Sequence, residues 1–135
     1  MTGEKNLRAL IRSMAPALRA ERYVFVSIAK GEYGDYAELK PLAAFLEDEG
    51  MTLILEQVVA ANFGFGDQPV FRCISLTVHS SLEAVGLTAA VATALAEQGI
   101  SANVVAAYYH DHIFVPERHA DKAVEVLNLL SRSST

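Results

Sequence analysis

Cysteine occurs once in this chain, at Cys73, so no disulfide can form within it and no zinc cluster can be assembled from thiolates. No apolar run approaches the roughly 18 residues that a membrane-spanning helix needs, and no membrane partner is expected. Positive charge is scarce and scattered: 11 Lys and Arg stand against 16 Asp and Glu, for a formal charge of −5, with no basic run. Charge-driven binding to a phosphate backbone is therefore not expected, and nucleic acid is excluded as a default partner. The opening MTGEKNLRALIRSM is charged and amphipathic and lacks the uninterrupted apolar core of a secretory leader, which predicts a cytoplasmic protein. Catalytic signatures are missing as well. No G-x-S-x-G elbow marks Ser80 or Ser81 as a strained, exposed nucleophile, and FGFGD is too short for a phosphate loop and lacks its lysine. Cys73 falls in mid-strand and reads as core.

What is present is a chain of 135 residues, 52% apolar and 20% charged, enough for one well-cored domain or for two small units. Leu7, Leu10, Ile11 and Met14 fall at helical spacing, and Pro16 ends the pattern. RYVFVSI, from Arg22 to Ile28, is short, aromatic and β-branched, which predicts a strand. ELKPLAAFLEDEG sets Leu39, Leu42, Ala43 and Leu46 along one helical face with Gly50 as its stop, which predicts a helix, and MTLILEQVV predicts a second strand. AANFGFGDQP is an irregular connection. VFRCISLTV alternates Ile74, Leu76 and Val78 against Cys73, Ser75 and Thr77, the signature of a strand. GLTAAVATALAEQG carries Leu87, Val91, Ala94 and Leu95 on one helical face and ends at Gly99. ISANVVAAYY and HIFVP predict a hairpin, and ERHADKAVEVLNLL a closing helix through Ala120, Ala123, Val124, Leu127 and Leu130. The order predicts an α+β fold, a ferredoxin-like sandwich with helices on one face of an antiparallel-containing sheet. The one internal boundary, at NFGFGDQP, divides the chain into 1–66 and 67–135.

The run ISLTVHSSLEAVGLTAAVATALAEQGISANVVAAYYHDHIFVP resembles an ACT domain, the small regulatory module of aspartate kinases and other amino-acid-controlled proteins. The resemblance covers Phe71 to Leu130. It is carried by a strand ending in a polar loop, by Gly86 opening a helix, by LAEQGISANVV, and by HDHIFVP, which is similar to the turn and strand of cytosolic amino-acid sensors with tandem ACT domains. With its first half, the chain resembles small bacterial proteins of two ACT-like units in tandem. That half has no counterpart of the loop-plus-glycine signature, so no ligand contacts are carried onto it. The resemblance implies two tandem ACT-like βαβ-containing halves with antiparallel sheets. It also implies a non-catalytic sensor of a small amino acid without cofactor or metal, paired as a homodimer and acting on an unidentified regulated protein; the alternative is a ligand-free ACT-like dimerisation module.

Physical chemistry points to the same loop. A strand that delivers HSSLEAV to a helix starting near Gly86 leaves backbone N–H groups unpaired at the positive end of that helix, where a carboxylate can sit. Gly86 lets a ligand approach, and Leu87 and Thr88 offer the next amides. Ser80, Glu83 and Val85 belong to the same loop, and by resemblance Tyr108 and Asp111 stand at the hairpin tip facing it. Asp111 could accept from a ligand ammonium or guanidinium while a ring covers its aliphatic part. Ser80 and Glu83 also fit a capping box, S-x-x-E, and Asp111 also fits a simple turn-maker. Tyr109 is expected in the core or at an interface. His110 and His112 alternate along a strand and could face one metal ion only if His79 joined them, so no metal site is assigned.

Overall fold

The computed structural model describes residues 6–133. Ten regular elements follow one another: α1 Leu7–Ser13, β1 Pro16–Ile28, β2 Ala43–Glu47, β3 Gly50–Glu56, α2 Gln57–Asn62, β4 Phe71–Leu76, α3 Leu87–Glu97, β5 Asn103–Ala106, β6 Asp111–Pro116 and α4 Ala120–Ser133. Single 3-10 turns occupy Ala37–Leu39 and Glu117–His119. The chain forms two compact units, one built from the segment up to residue 20 together with residues from 72 onward, the other from residues 21–71. The architecture is the expected α+β, ferredoxin-like one with antiparallel pairing.

In the unit containing β4 the strand order is β1-β4-β6-β5, and the β5–β6 hairpin is in register from Asn103↔Phe114 to Ala106↔Asp111. Ile74, Leu76, Ile113 and Val115 bury their side chains against Leu10 of α1 and its C-cap Met14, Leu87, Val91 and Leu95 of α3, and Leu127 of α4. Two helix ends are closed locally. Asn6 Oδ1 accepts from the Ala9 N–H at 3.0 Å, the expected N-cap chemistry. At the far end of α3, the Ile100 N–H donates to Leu95 O (3.0 Å) and the Gly99 N–H to Ala96 O (2.9 Å), a Schellman motif that turns the chain into β5.

In the unit of residues 21–71 the order is β2-β3-β1, all antiparallel. Val24, Val26 and Ile28 pair with Leu55, Leu53 and Met51 and place these side chains on one face, over which Leu39 and Ala60 close the core. The predicted helix over ELKPLAAFLEDEG is absent. Only Ala37–Leu39 makes a helical turn; Lys40 is left-handed (φ 52°), and β2 follows. Pro41 explains the break, since it disfavours helical geometry for the residue before it. Gly50, expected as a helix stop, follows the two-residue Asp48-Glu49 turn of the β2–β3 hairpin at φ 151°. A β-carbon there would stand 2.8 Å from Ile28 O. Two further boundaries differ: β1 starts at Pro16 rather than Arg22, and the strand expected over MTLILEQVV stops at Glu56, where α2 begins.

Candidate functional site

The loop between β4 and α3 delivers the chain to Gly86, which takes the N-cap position at φ 102°, ψ −18°. Glycine tolerates this left-handed geometry and has no side chain to cap the helix, so the amides of the first turn are left to other partners. The expected capping box does not form, because α3 starts beyond Glu83. Instead Ser80 Oγ donates to Ser81 O (3.3 Å), and Ser81 Oγ accepts from the Glu83 N–H (3.1 Å).

Beside this helix start lies a cavity of about 100 Å³, lined by Ser80, Ser81, Leu82, Ala84, Gly86, Leu87, Thr88, Ala106 and Asp111. Of the residues singled out in the sequence, Ser80, Gly86, Leu87, Thr88 and Asp111 are thus brought together. Glu83, Val85 and Tyr108 are not part of the lining, and Val85 and Tyr108 are exposed. The turn of the hairpin closes with the Ala107 N–H donating to His110 O at 3.0 Å, which leaves Asp111 as the first residue of β6, opposite Ala106, rather than as the turn-maker. Burial pushes the Asp111 carboxyl above its ordinary range, while His112 and His110 pull it back. Among the described residues no hydrogen-bond donor is set against that carboxylate.

Around the hairpin tip the rings of His79 and Tyr109, and of Tyr108 and Tyr109, lie 5.1 Å apart. Tyr109 is 60% exposed, so of its two expected places, the core or an interface, the core is not where it sits. His110 Nδ1 donates to Val78 O at 3.1 Å, which fixes the proton on that nitrogen, because a carbonyl can only accept. His112 Nδ1 shares a 2.8 Å hydrogen bond with Ser75 Oγ. Burial lowers the His112 pKa, Arg19 and His110 lower it further, and Asp111 opposes them, so the ring is neutral at pH 7. Among the described residues no group of three or more His, Cys, Asp or Glu is arranged to hold a metal ion.

A second, larger cavity of about 410 Å³ belongs to the unit of residues 21–71, with Tyr33, Asp35, Lys40, Leu42, Met51 and Leu53 in its wall. Sequence reasoning missed it because its wall comes from the connection read partly as a helix. The signal that could have found it is the density of turn formers in GEYGDY and ELKP. The connection holds Lys30, Tyr36 and Lys40 at positive φ (58°, 62° and 52°), strain of the kind that accumulates in loops shaped for binding.

The chain thus holds two small α+β units in tandem, each with a cavity of its own. ACT domain profiles match residues 2–73 and 70–128, and the chain belongs to the ACT domain family. It is similar to VC0802 from Vibrio cholerae, a protein of unknown function described as a possible transport protein. The two are 55% identical, with 90% of this chain and 92% of that one covered and a TM-score of 0.82. Protein Atu0741 from Agrobacterium tumefaciens shares the fold at 15% identity, with 86% and 87% covered and a TM-score of 0.65. So does the regulatory subunit of aspartate kinase from Thermus flavus, at 12% identity, with 85% and 95% covered and a TM-score of 0.62. No curated protein matches the chain in sequence. Among the described residues no helix is long and apolar enough to cross a membrane.

Proposed function

We propose that the chain is a non-catalytic, cytoplasmic regulatory module whose two ACT-like halves, 1–66 and 67–135, act as a homodimer on a regulated protein, and that it senses a small α-amino acid at the start of α3. The observation that carries this reading is the pairing of opposite polarities in one cavity. The half-buried Asp111 carboxylate has no donor of its own among the described residues, and it shares the cavity with the uncapped amides of Gly86, Leu87 and Thr88. Helix-start amides and the helix dipole suit the ligand carboxylate; Asp111 suits its cationic group. About 100 Å³ admits the polar head and first carbons of an amino acid.

The test is a thermal-shift screen against the common amino acids. At about 100 times its dissociation constant, a ligand adds about 2.7 kcal/mol of stability, which raises Tm by roughly 5 to 10 °C for a chain of this size. Asp111→Ala should abolish the shift. If no amino acid stabilises the protein, or the variant responds as the parent does, the sensor reading of this site fails. Amide chemical-shift mapping then separates the cavities: perturbation of residues 80–88 supports the site at α3, and perturbation confined to 33–44 moves it to the larger cavity.

The second reading, a ligand-free dimerisation module, is favoured by one observation: the exposed edge strand β2 carries Phe45 and Leu46 into solvent.

A further inference from the structure

We propose that the larger cavity, in the unit of residues 21–71, is a second ligand site, which takes a small carboxylate with an apolar body and no amino group, independently of the site at α3.

The cavity lies where this unit lacks a helix. In the other unit β4 is followed by α3 and then by the β5–β6 hairpin; here β1 is followed by residues 29–42 and then by the β2–β3 hairpin. The connection makes a single 3-10 turn, Ala37–Leu39, where its counterpart has 11 residues of α-helix. Only Leu39 of that turn is buried, and the space over the adjoining part of the sheet stays open as a cavity of about 410 Å³. Small-molecule pockets span roughly 300 to 1,000 Å³.

The wall is apolar toward the sheet. Met51 and Leu53 form a buried floor, and Ala44, paired with Leu53, shares its face. Leu42, 41% exposed, and Ala37 stand in reach of solvent beside them. The apolar body of a ligand gains by covering these side chains.

Two charged residues complete the wall, Asp35 and Lys40, and they are not equivalent. Asp35 Oδ2 already accepts from the Glu32 N–H at 2.9 Å. Lys40 Nζ has no acceptor among the described residues. The unmet charge is therefore positive, and a carboxylate answers it with a charge-assisted hydrogen bond. The Tyr33 hydroxyl, in the same wall, offers a second donor.

Backbone strain falls on the same lysine. Lys40 is left-handed at φ 52°, ψ 58°, although it carries a β-carbon and precedes Pro41, which favours extended geometry there. The Lys40 N–H donates to Ala37 O at 3.0 Å and the Leu42 N–H to Ile54 O at 2.8 Å, which pins the residue from both sides. Strain of this kind clusters at ligand clamps.

The experiment is an amide chemical-shift titration of the full chain at millimolar ligand. The probes are phenylpropanoate, phenylalanine, which adds an ammonium to it, and phenylpropylamine, which has the ammonium without the carboxylate. The proteins are wild type, Lys40→Gln and Lys40→Arg, which should share one far-UV circular dichroism spectrum because Lys40 is exposed. The expected result is saturable perturbation of residues 33–44 by phenylpropanoate, with weaker binding of the other two probes there. Lys40→Gln should raise the phenylpropanoate dissociation constant at least about 10-fold, and Lys40→Arg by no more than about 3-fold. Equal affinity in Lys40→Gln and wild type overturns the inference. So does tighter binding of phenylalanine or the amine at residues 33–44, or phenylpropanoate perturbation confined to residues 80–88. No phenylpropanoate binding at all overturns it too and leaves the sensor reading at α3 standing, just as failure of the amino-acid screen there leaves this inference standing.

Discussion

The side chain of Leu7 lies over Gly86: a β-carbon on residue 86 would stand 3.0 Å from Leu7 Cδ2. The N-terminal helix thus presses on the glycine that opens the candidate site. Gly86→Ala should cost about 1 to 2 kcal/mol, mainly because a residue with a β-carbon is strained at φ 102°. Adding Leu7→Ala should not restore the loss, since it removes the close contact and leaves the backbone strain. Urea unfolding of the two variants checks both statements, and full recovery in the double variant would assign the cost to Leu7 instead.

Asp111 predicts a pH dependence with a definite sign. Its folded pKa is raised, so between about 3.9, the unfolded value, and the raised value the folded state holds a proton that the unfolded state has released. Its contribution is therefore fully present at low pH and lost as pH rises through the folded pKa. Asp111→Asn should leave the unliganded protein at least as stable at pH 7 and flatten this part of the stability profile. Amino-acid binding should run the other way and fall as acid protonates Asp111. Chemical denaturation and ligand titration across pH 4 to 8 separate the two trends.

His112 contributes with the opposite slope. Its folded pKa is lowered, so as pH rises from that value to about 6.5 the unfolded state holds the extra proton and stability increases. Ser75→Ala removes the 2.8 Å partner of its ring and should cost about 1 kcal/mol. Proton titration of the His112 ring by NMR, beside an unfolding curve of the variant, gives both quantities.

Gly50→Ala should be the more damaging glycine substitution. A β-carbon would meet Ile28 O at 2.8 Å and Ser27 Oγ at 2.9 Å, and a backbone carbonyl at the end of β1, held by the Gly31 N–H at 3.0 Å, cannot give way as the tip of a leucine can. A loss of about 2 to 3 kcal/mol is expected, from strain plus displaced pairing between β1 and β3. A smaller loss than that of Gly86→Ala in the same urea series would contradict this ordering.

Where one period dominated, the sequence was legible. Leu87, Val91 and Leu95, then Ala120, Ala123 and Leu127, face a core as their spacing requires, and the alternation of β4 and the β5–β6 hairpin held. The strand, glycine and helix order also placed Gly86, Leu87 and Thr88 together, and the hairpin brought Asp111 to them. The segment from Glu38 to Gly50 misled because Leu39, Leu42, Ala43 and Leu46 satisfy helical spacing by coincidence. Only Leu39 is buried, and the turn at Asp48-Glu49 lacks the Asn-Gly or Asp-Gly signal of a two-residue hairpin. Tyr109 shows the complementary limit. Its ring suggests a place in the core or at an interface, but a hairpin tip takes its exposure from the elements around it.

The long strand β1 belongs to one unit up to residue 20 and to the other from residue 21, and this gives the chain a timetable. As the protein emerges from the ribosome, α1 is made before the partners that bury Leu10, Ile11 and Met14, because Ile74, Leu95 and Leu127 come later in the chain. The segment of residues 21–71 can complete its own meander in the interval. The first helix therefore keeps its apolar face uncovered until the later strands and helices are made, and a chain interrupted near its midpoint would be left with that face exposed.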